Sequence, residues 1–423
     1  MMQITPVFKG NPVSDMQYYT HTLSNGIRLV HKPVDSLVAH CGLTINAGSR
    51  DELPAEQGLA HFIEHLIFKG TQKRKAYHIL SHMENVGGEI NAYTGKEDTC
   101  VYASFMHTHY GRCMDLISDI VFHSVFPEKE IIKEKDVVID EINSYKDSPG
   151  EQIFDDFDNL VYRDHPLGAN ILGTPRHLKK FNRNHIFEFI QRNYATDEMV
   201  ISSVGRIDFR KLVRMAERYF GVFPASSRQT PRKRFTDYAA QDKIVKRRNH
   251  QVHCMLGNES FGVSHQNKTA MILLNNILGG PGLNSRLNMA VREKHGLCYN
   301  IESHYQPYSD TGLFCVYLGT DHLFIDKAVA LVLRELTLLR EKTLGSLQLK
   351  RAKQQLQGQV AISFESNVNE MLSLGKSVLL YNKIDTLEQI YEKIEIVSAA
   401  ELREVAMEVF DPDKLSLLMY KPR

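Results

Sequence analysis

Two histidines and a glutamate crowd one short stretch, Ala60-His61-Phe62-Ile63-Glu64-His65-Leu66, inside a helical pattern. Residues four apart on a helix lie about 40° apart around its axis, so His61 and His65 share a face and can offer two imidazoles to one ion. Glu64 lies one turn beyond His61, next to the water that would fill an open coordination position. That arrangement suits metal-assisted hydrolysis, which needs a third protein ligand and an open fourth site. A helical histidine pair is also met as an ordinary surface or core pair, and the motif by itself leaves that reading open.

A second cluster lies on the helix that follows Pro127. Glu134 and Glu141 are seven positions apart and fall within about 20° of one another on one face. The neighbouring stripe of Ile131, Ile132, Val137, Val138, Ile139 and Ile142 is expected to be buried. Carboxylates beside so much apolar surface call for a cationic partner, because an unpaired buried carboxylate is expensive. A metal would supply one; Lys133 and Lys135 on a solvated acidic face would do so too. In the second half, Arg292 read alone is a helix-surface ion pair with Glu293 or a neighbour, and Tyr299 a packed strand residue. His107 and His109 have strand spacing but no acid companion and are read as structural.

The inverted order H-x-x-E-H, with a glutamate 76 positions past the second histidine and another seven before it, resembles the pitrilysin family. That family includes mitochondrial processing peptidase and insulin-degrading enzyme. The resemblance extends through Gly58-Leu59-Ala60-His61-Phe62, Phe68-Lys69-Gly70-Thr71, Asn91-Ala92-Tyr93-Thr94, Arg292-Glu293-Lys294, Gly296-Leu297 and Tyr299, and so covers nearly the whole chain, in the manner of a short two-domain bacterial-type member. It implies one Zn2+ per chain on His61, His65 and Glu141, with Glu64 as general base and Glu134 orienting a ligand. It also implies that a peptide adds as an extra strand beside Asn91, Ala92 and Tyr93. Arg292 and Tyr299 would bind substrate carbonyls and stabilise the oxyanion. The activity implied is that of a zinc metalloendopeptidase acting on peptides or short unfolded polypeptides in an enclosed chamber. In the family's long members the Arg/Tyr pair comes from the half opposite the zinc; if that chamber geometry is kept, the resemblance implies a homodimer with sites shared between chains, or else a different, zinc-less subunit that completes the site. A non-catalytic or regulatory subunit of a processing-peptidase-like complex is the alternative.

The elements that must position these residues form an α+β pattern. A hairpin is expected at Tyr18–Val34 around Ser24-Asn25-Gly26, a strand at Ala39–Ala47, paired strands within Ile90–Met106, and helices at Tyr110–Phe122, Glu128–Tyr145 and Gln152–Tyr162. The order then recurs, with a strand at Gln251–Leu256, helices at Lys268–Leu278 and Ser285–His295, strands within Tyr299–Leu318 and a helix at Asp326–Leu339. Asp98-Thr99-Cys100-Val101-Tyr102 aligns with Asp310-Thr311 and Cys315-Val316-Tyr317. Two similar α/β-sandwich domains from an internal duplication are therefore expected, each a mainly antiparallel sheet packed with helices: 1–222, a linker at 223–241, and 242–423. The second lacks the histidine pair, its matching helix reading Thr269-Ala270-Met271-Ile272-Leu273-Leu274. Gly279-Gly280-Pro281-Gly282 is shorter than the glycine-rich loop of the non-catalytic processing-peptidase subunit and reads as a turn.

Composition narrows the partners. Lys and Arg total 51 against 50 Asp and Glu, so a net charge of +1 gives no electrostatic reason to expect nucleic acid. Arg228–Arg234 and Lys246-Arg247-Arg248 read as solvated linker and strand-edge charge. No stretch approaches the roughly 18 apolar residues that cross a bilayer, so no membrane partner is expected. The N-terminal stretch lacks the charge and apolar order of a secretory signal, and the six scattered cysteines read as buried thiols, which together point to the cytoplasm.

Overall fold

The computed structural model describes residues 18–423; the N-terminal stretch read for a targeting signal lies outside them up to residue 17. In chain order the elements are β1 (Tyr19–Thr22), β2 (Arg28–Pro33), β3 (Val38–Ile45), α1 (Leu59–Leu66), α2 (Ala76–Glu84), β4 (Glu89–Thr94), β5 (Thr99–Met106), α3 (Tyr110–Phe122), α4 (Glu128–Lys146), α5 (Pro149–Val161), α6 (Pro175–Leu178), α7 (Arg183–Asn193), β6 (Met199–Gly205) and α8 (Phe209–Tyr219). There follow β7 (Asp242–Arg247), β8 (Val252–Ser260), α9 (Lys268–Gly279), a π-helical segment (Asn288–Glu293), β9 (Cys298–Pro307), β10 (Gly312–Thr320), α10 (Ile325–Glu341), α11 (Ser346–Phe364), α12 (Asn367–Tyr381), α13 (Leu387–Glu395), α14 (Ala399–Val409) and β11 (Ser416–Pro422).

Two sheets carry the chain, ordered β1-β2-β6-β3-β5-β4 and β7-β11-β8-β10-β9. Setting β1 aside, the second order is the first rewritten, with β7, β11, β8, β10 and β9 in the places of β2, β6, β3, β5 and β4. Strand directions agree too: β2 runs parallel to β6 as β7 does to β11, and the remaining pairs are antiparallel. Both halves thus share one mixed, mainly antiparallel topology, and β5 and β10, which carry the aligned Cys-Val-Tyr segments, hold equivalent places.

Each sheet is buried on both faces, which is why its central strands read as nearly continuous apolar runs. In β5, Val101, Ala103 and Phe105 enter the core built with α1, α3 and α8, while Tyr102 on the opposite pleat packs with Val30, Val200 and Val204 under Met371, Leu374 and Val378 of α12. Gly375 lets α12 approach, since a Cβ there would lie 2.6 Å from the Thr44 hydroxyl. The second sheet repeats the scheme. Phe314, Val316 and Leu318 of β10 face α9, α10 and α14, and Cys315 and Tyr317 face Ile153, Phe157 and Leu160 of α5.

The two compact units are consequently discontinuous, and the contiguous blocks 1–222 and 242–423 do not describe them. One unit takes residues up to Ile142, Asn170–Arg232 and Ile362–Thr386; the other takes Asn143–Ala169, Lys233–Ala361 and Leu387–Arg423. A sheet face of valines needs a cover, and each sheet is covered by a helix from the far half of the sequence. Other expectations also need correction. In α4 only Ile131, Val138 and Ile142 of the stripe are buried, with Ile132 58% and Val137 50% exposed, because the face turned to the core is narrower than the stripe. The helix at Ser285–His295 is largely the π-helical segment. Of the segment 223–241, Arg228 and Arg232 are ion-paired rather than solvated, Phe235 is buried, and the Tyr238 hydroxyl bonds the carbonyl of Lys414 at 2.5 Å. Arg247 likewise pairs with Asp156 and lies over the Tyr420 ring. The six cysteines are buried and free, and among the described residues no helix is long and apolar enough to cross a membrane.

Candidate metal centre

Helix α1 turns Leu59, Ala60, Phe62, Ile63 and Leu66 into the core, which leaves His61, Glu64 and His65 on the remaining face. Its start is fixed by a side chain from outside the motif. The buried Glu52 carboxylate accepts the backbone N–H of Gly58 at 2.9 Å and of Ala60 at 2.8 Å, filling two of the donors that a helix start leaves unmatched. Burial pushes the Glu52 carboxyl well above its ordinary pKa, against the pull of those two bonds.

Helix α4 delivers the two acids. The nearest oxygens of Glu141 lie 3.8 Å from His61 Nε2 and 3.5 Å from His65 Nε2, and one donor atom from each of the three residues falls within 4.8 Å of the others. Glu134, 5% exposed, stands behind: its Oε1 meets His65 Nδ1 at 2.9 Å and its Oε2 accepts from Lys69 Nζ at 2.8 Å. That contact leaves His65 Nε2 facing Glu141, the arrangement by which an outer carboxylate sets a ligand imidazole's orientation.

The electrostatics fit a cation. Burial, with the charge of His65 adding to it, lowers the His61 pKa to about 4, so this imidazole stays neutral and its lone pair is free to coordinate. Burial also opposes charge on His65, but the bond to Glu134 and the charges of Glu134, Glu141 and Glu64 outweigh it and hold its pKa above the usual value. Carboxylates that favour a proton there favour a metal cation for the same Coulombic reason. Glu134 is held below its ordinary pKa, since its bonds to His65 and Lys69 overcome the cost of burial. Two imidazole nitrogens and one carboxylate oxygen form the three-ligand set of hydrolytic zinc sites, with a position left open.

Glu64 does not join that triad. Its Oε2 accepts a 2.5 Å bond from the Thr94 hydroxyl at the end of β4, and burial raises its pKa above the ordinary carboxylate value. Strand β4 is a sheet edge, paired on one side only, through Asn91↔Tyr102, Ala92↔Val101 and Tyr93↔Cys100. Asn91 is exposed, Ala92 packs on the core, and the Tyr93 hydroxyl donates to Asp98 at 2.9 Å beneath Lys376.

Residues 29–175 match the profile of insulinase, peptidase family M16, and residues 180–356 match that of the peptidase M16 inactive domain. An uncharacterized zinc protease of Bacillus subtilis (strain 168), YmxG, is 34% identical across 93% of this chain and 96% of its own length. The chain belongs to peptidase family M16. An uncharacterized zinc protease of Streptomyces coelicolor is 33% identical over 92% of this chain and 86% of its own. Two solved structures share the fold: a protease from Helicobacter pylori (TM-score 0.88, 22% identity, 96% of this chain and 99% of the other) and a peptidase M16 inactive domain from Pseudomonas fluorescens (TM-score 0.89, 20% identity, 96% and 98%).

In this M16 chain Arg292 and Tyr299 belong to the unit that lacks the His61/His65 pair. Arg292 occupies the π-helical segment, a wide turn often found at functional positions, with Asn288 Oδ1 at 3.5 Å and Glu293 at 3.8 Å. Tyr299 is 87% exposed, so the packed-strand reading of this residue does not hold. Sequence reasoning assigned no role to Glu52, Lys69 or Thr94. Lys69 and Thr94 lie inside segments that carry the family resemblance, whereas Glu52 had no signal beyond its place shortly before the helix.

Proposed function

We propose that this chain is a zinc metalloendopeptidase that hydrolyses peptides or short unfolded polypeptides. The observation that carries the reading is the convergence of His61, His65 and Glu141 within 4.8 Å, with Glu64 on the same helix as the two histidines. Zinc held by those three residues would polarise the scissile carbonyl and activate the attacking water. Glu64 takes the proton from that water and returns it to the leaving amine, and its raised pKa brings it nearer the operating pH, as a shuttling base requires. Thr94 fixes the Glu64 carboxylate, and Glu134 keeps His65 turned towards Glu141. The free edge of β4 binds the peptide main chain at Asn91, Ala92 and Tyr93, so recognition is tolerant of sequence. Arg292 and Tyr299 neutralise the negative oxygen that develops during attack. In this reading the active form is a homodimer enclosing a chamber, each chain lending its Arg292 and Tyr299 to the other's zinc.

The test is mass spectrometry of a mixed peptide pool incubated with purified protein, with and without chelator, alongside metal analysis. Near-stoichiometric zinc with chelator-sensitive internal cleavage is expected. Zinc without cleavage of any peptide would make the chain a binding subunit, and absence of both would sink the proposal.

A further inference from the structure

We propose that Asp51 and Arg232 are positioning residues for Glu64: the strap of chain at 228–232 holds a brace on which the alignment of the base depends. The inference rests on the hydrolase reading above for its kinetic consequence, but not for its structural one.

Arg228 and Arg232 each keep only 11% of the side chain exposed and converge on Asp51, whose side chain is 1% exposed. Arg232 grips Asp51 with both arms, Nε to Oδ1 at 2.9 Å and Nη2 to Oδ2 at 2.8 Å, and Nη2 also donates to the Glu97 carbonyl at 2.6 Å. Arg228 adds a contact to Asp51 Oδ1 and donates to the Asn46 carbonyl at 2.8 Å. The Glu97 carboxylate is in turn held by Arg50 at 2.6 Å, with Arg232 Nη1 at 3.5 Å. Fork-to-carboxylate bonds of this kind fix direction as well as distance, and a buried charge deprived of its partner does not rest where it was.

Two routes lead from this cluster to Glu64. Asp51 immediately precedes Glu52, whose carboxylate caps the N–H groups of Gly58 and Ala60 and so fixes where α1 begins. The same loop is stitched to the β4–β5 turn, Ser49 N–H to the Gly95 carbonyl at 3.1 Å and Arg50 N–H to that of Lys96 at 2.7 Å. Gly48 permits the approach, because a Cβ there would stand 2.5 Å from the Gly95 oxygen and 2.6 Å from that of Lys96. That turn follows directly on Thr94, whose hydroxyl holds Glu64. His61 and His65 share α1 with Glu64, but the metal set is also held by Glu134 with Lys69 and by the buried face of α4, so the route through Thr94 is the one particular to the base. Loosening the strap should therefore disturb the base and spare the metal. A shift of about 1 Å in a reacting group can cost on the order of 10²-fold in rate.

The experiment compares Arg232→Met, Arg232→Lys and Asp51→Asn in the full chain. Arg232→Met is expected to lower kcat about 10- to 100-fold, with KM and zinc content close to wild type and partial recovery in Arg232→Lys. Hydrogen exchange should quicken over residues 89–98 and stay unchanged over 128–146. Asp51→Asn, which keeps the shape but replaces one accepting oxygen by a donor and removes the charge, serves if Arg232→Met does not fold. Wild-type kcat in a folded variant overturns the proposal. So does a loss of kcat that merely follows the unfolded fraction by circular dichroism, or one accompanied by loss of zinc. Should the wild type cleave nothing, the hydrolase reading fails, while unaltered exchange over 89–98 would separately overturn the brace.

Discussion

Helices α1 and α9 follow equivalent strands, β3 and β8, in sheets of one topology, yet only α1 carries titratable side chains that converge. Along α9, Ala270, Met271, Leu273, Leu274 and Leu278 are buried, and the stretch from Thr269 to Leu274 has no histidine or acid. Along α1, an equally apolar inner face supports His61, Glu64 and His65 on the other side. The core and the strand order therefore tolerate either set. What differs is a handful of outward residues, in keeping with chemistry being grafted onto a fold. The unit that lacks the histidine pair has diverged differently, with a wide helical turn at Arg292 and an exposed Tyr299 on its own edge strand β9.

If the units divide the labour in this way, Glu64→Gln should abolish cleavage while zinc stays bound, by about 10²-fold or more, because the amide keeps the shape and loses the base. Turnover near wild type in the zinc-loaded variant would remove Glu64 from that role. From the other unit, Arg292→Ala should cost roughly 10²-fold in kcat without changing metal content, as loss of an oxyanion partner does. Mixing the two inactive chains under conditions of subunit exchange should then restore activity, since one site of each mixed dimer has both parts intact. Confirmed exchange with no recovery would mean that identical chains do not share sites.

Smaller effects sharpen the same contrast. Glu141→Gln should weaken zinc retention through dialysis, measured as metal per chain, whereas any change on α9 should leave it alone; undiminished zinc would point to another third ligand. Met371→Ala, which empties a fully buried place between α12 and the first sheet, should destabilise that unit by about 2–5 kcal/mol in a denaturant titration. A change under about 1 kcal/mol would show that α12 is a dispensable cover.

Much of this protein is legible without a structure because much of it is local. The spacing of His61, Glu64 and His65 defines a helix face whatever surrounds it, and the alternation in β4 and β5 reads as paired strands directly. Recurrence of the same element order announces the duplication, and the two sheet orders bear it out. Glu141 stood apart: its helix face was readable, but its partnership with His65 and His61, 76 and 80 positions earlier, was only implied by resemblance. Chain folding alone decided the remainder. A cap offered by Glu52, a hydroxyl offered by Thr94 and the grip of Arg228 and Arg232 on Asp51 leave no periodic trace, because each consists of one or a few polar contacts between segments distant in sequence or irregular in form. The exchange of α5 and α12 is hidden for a related reason. An amphipathic helix advertises that one face must be buried, but not which sheet will bury it.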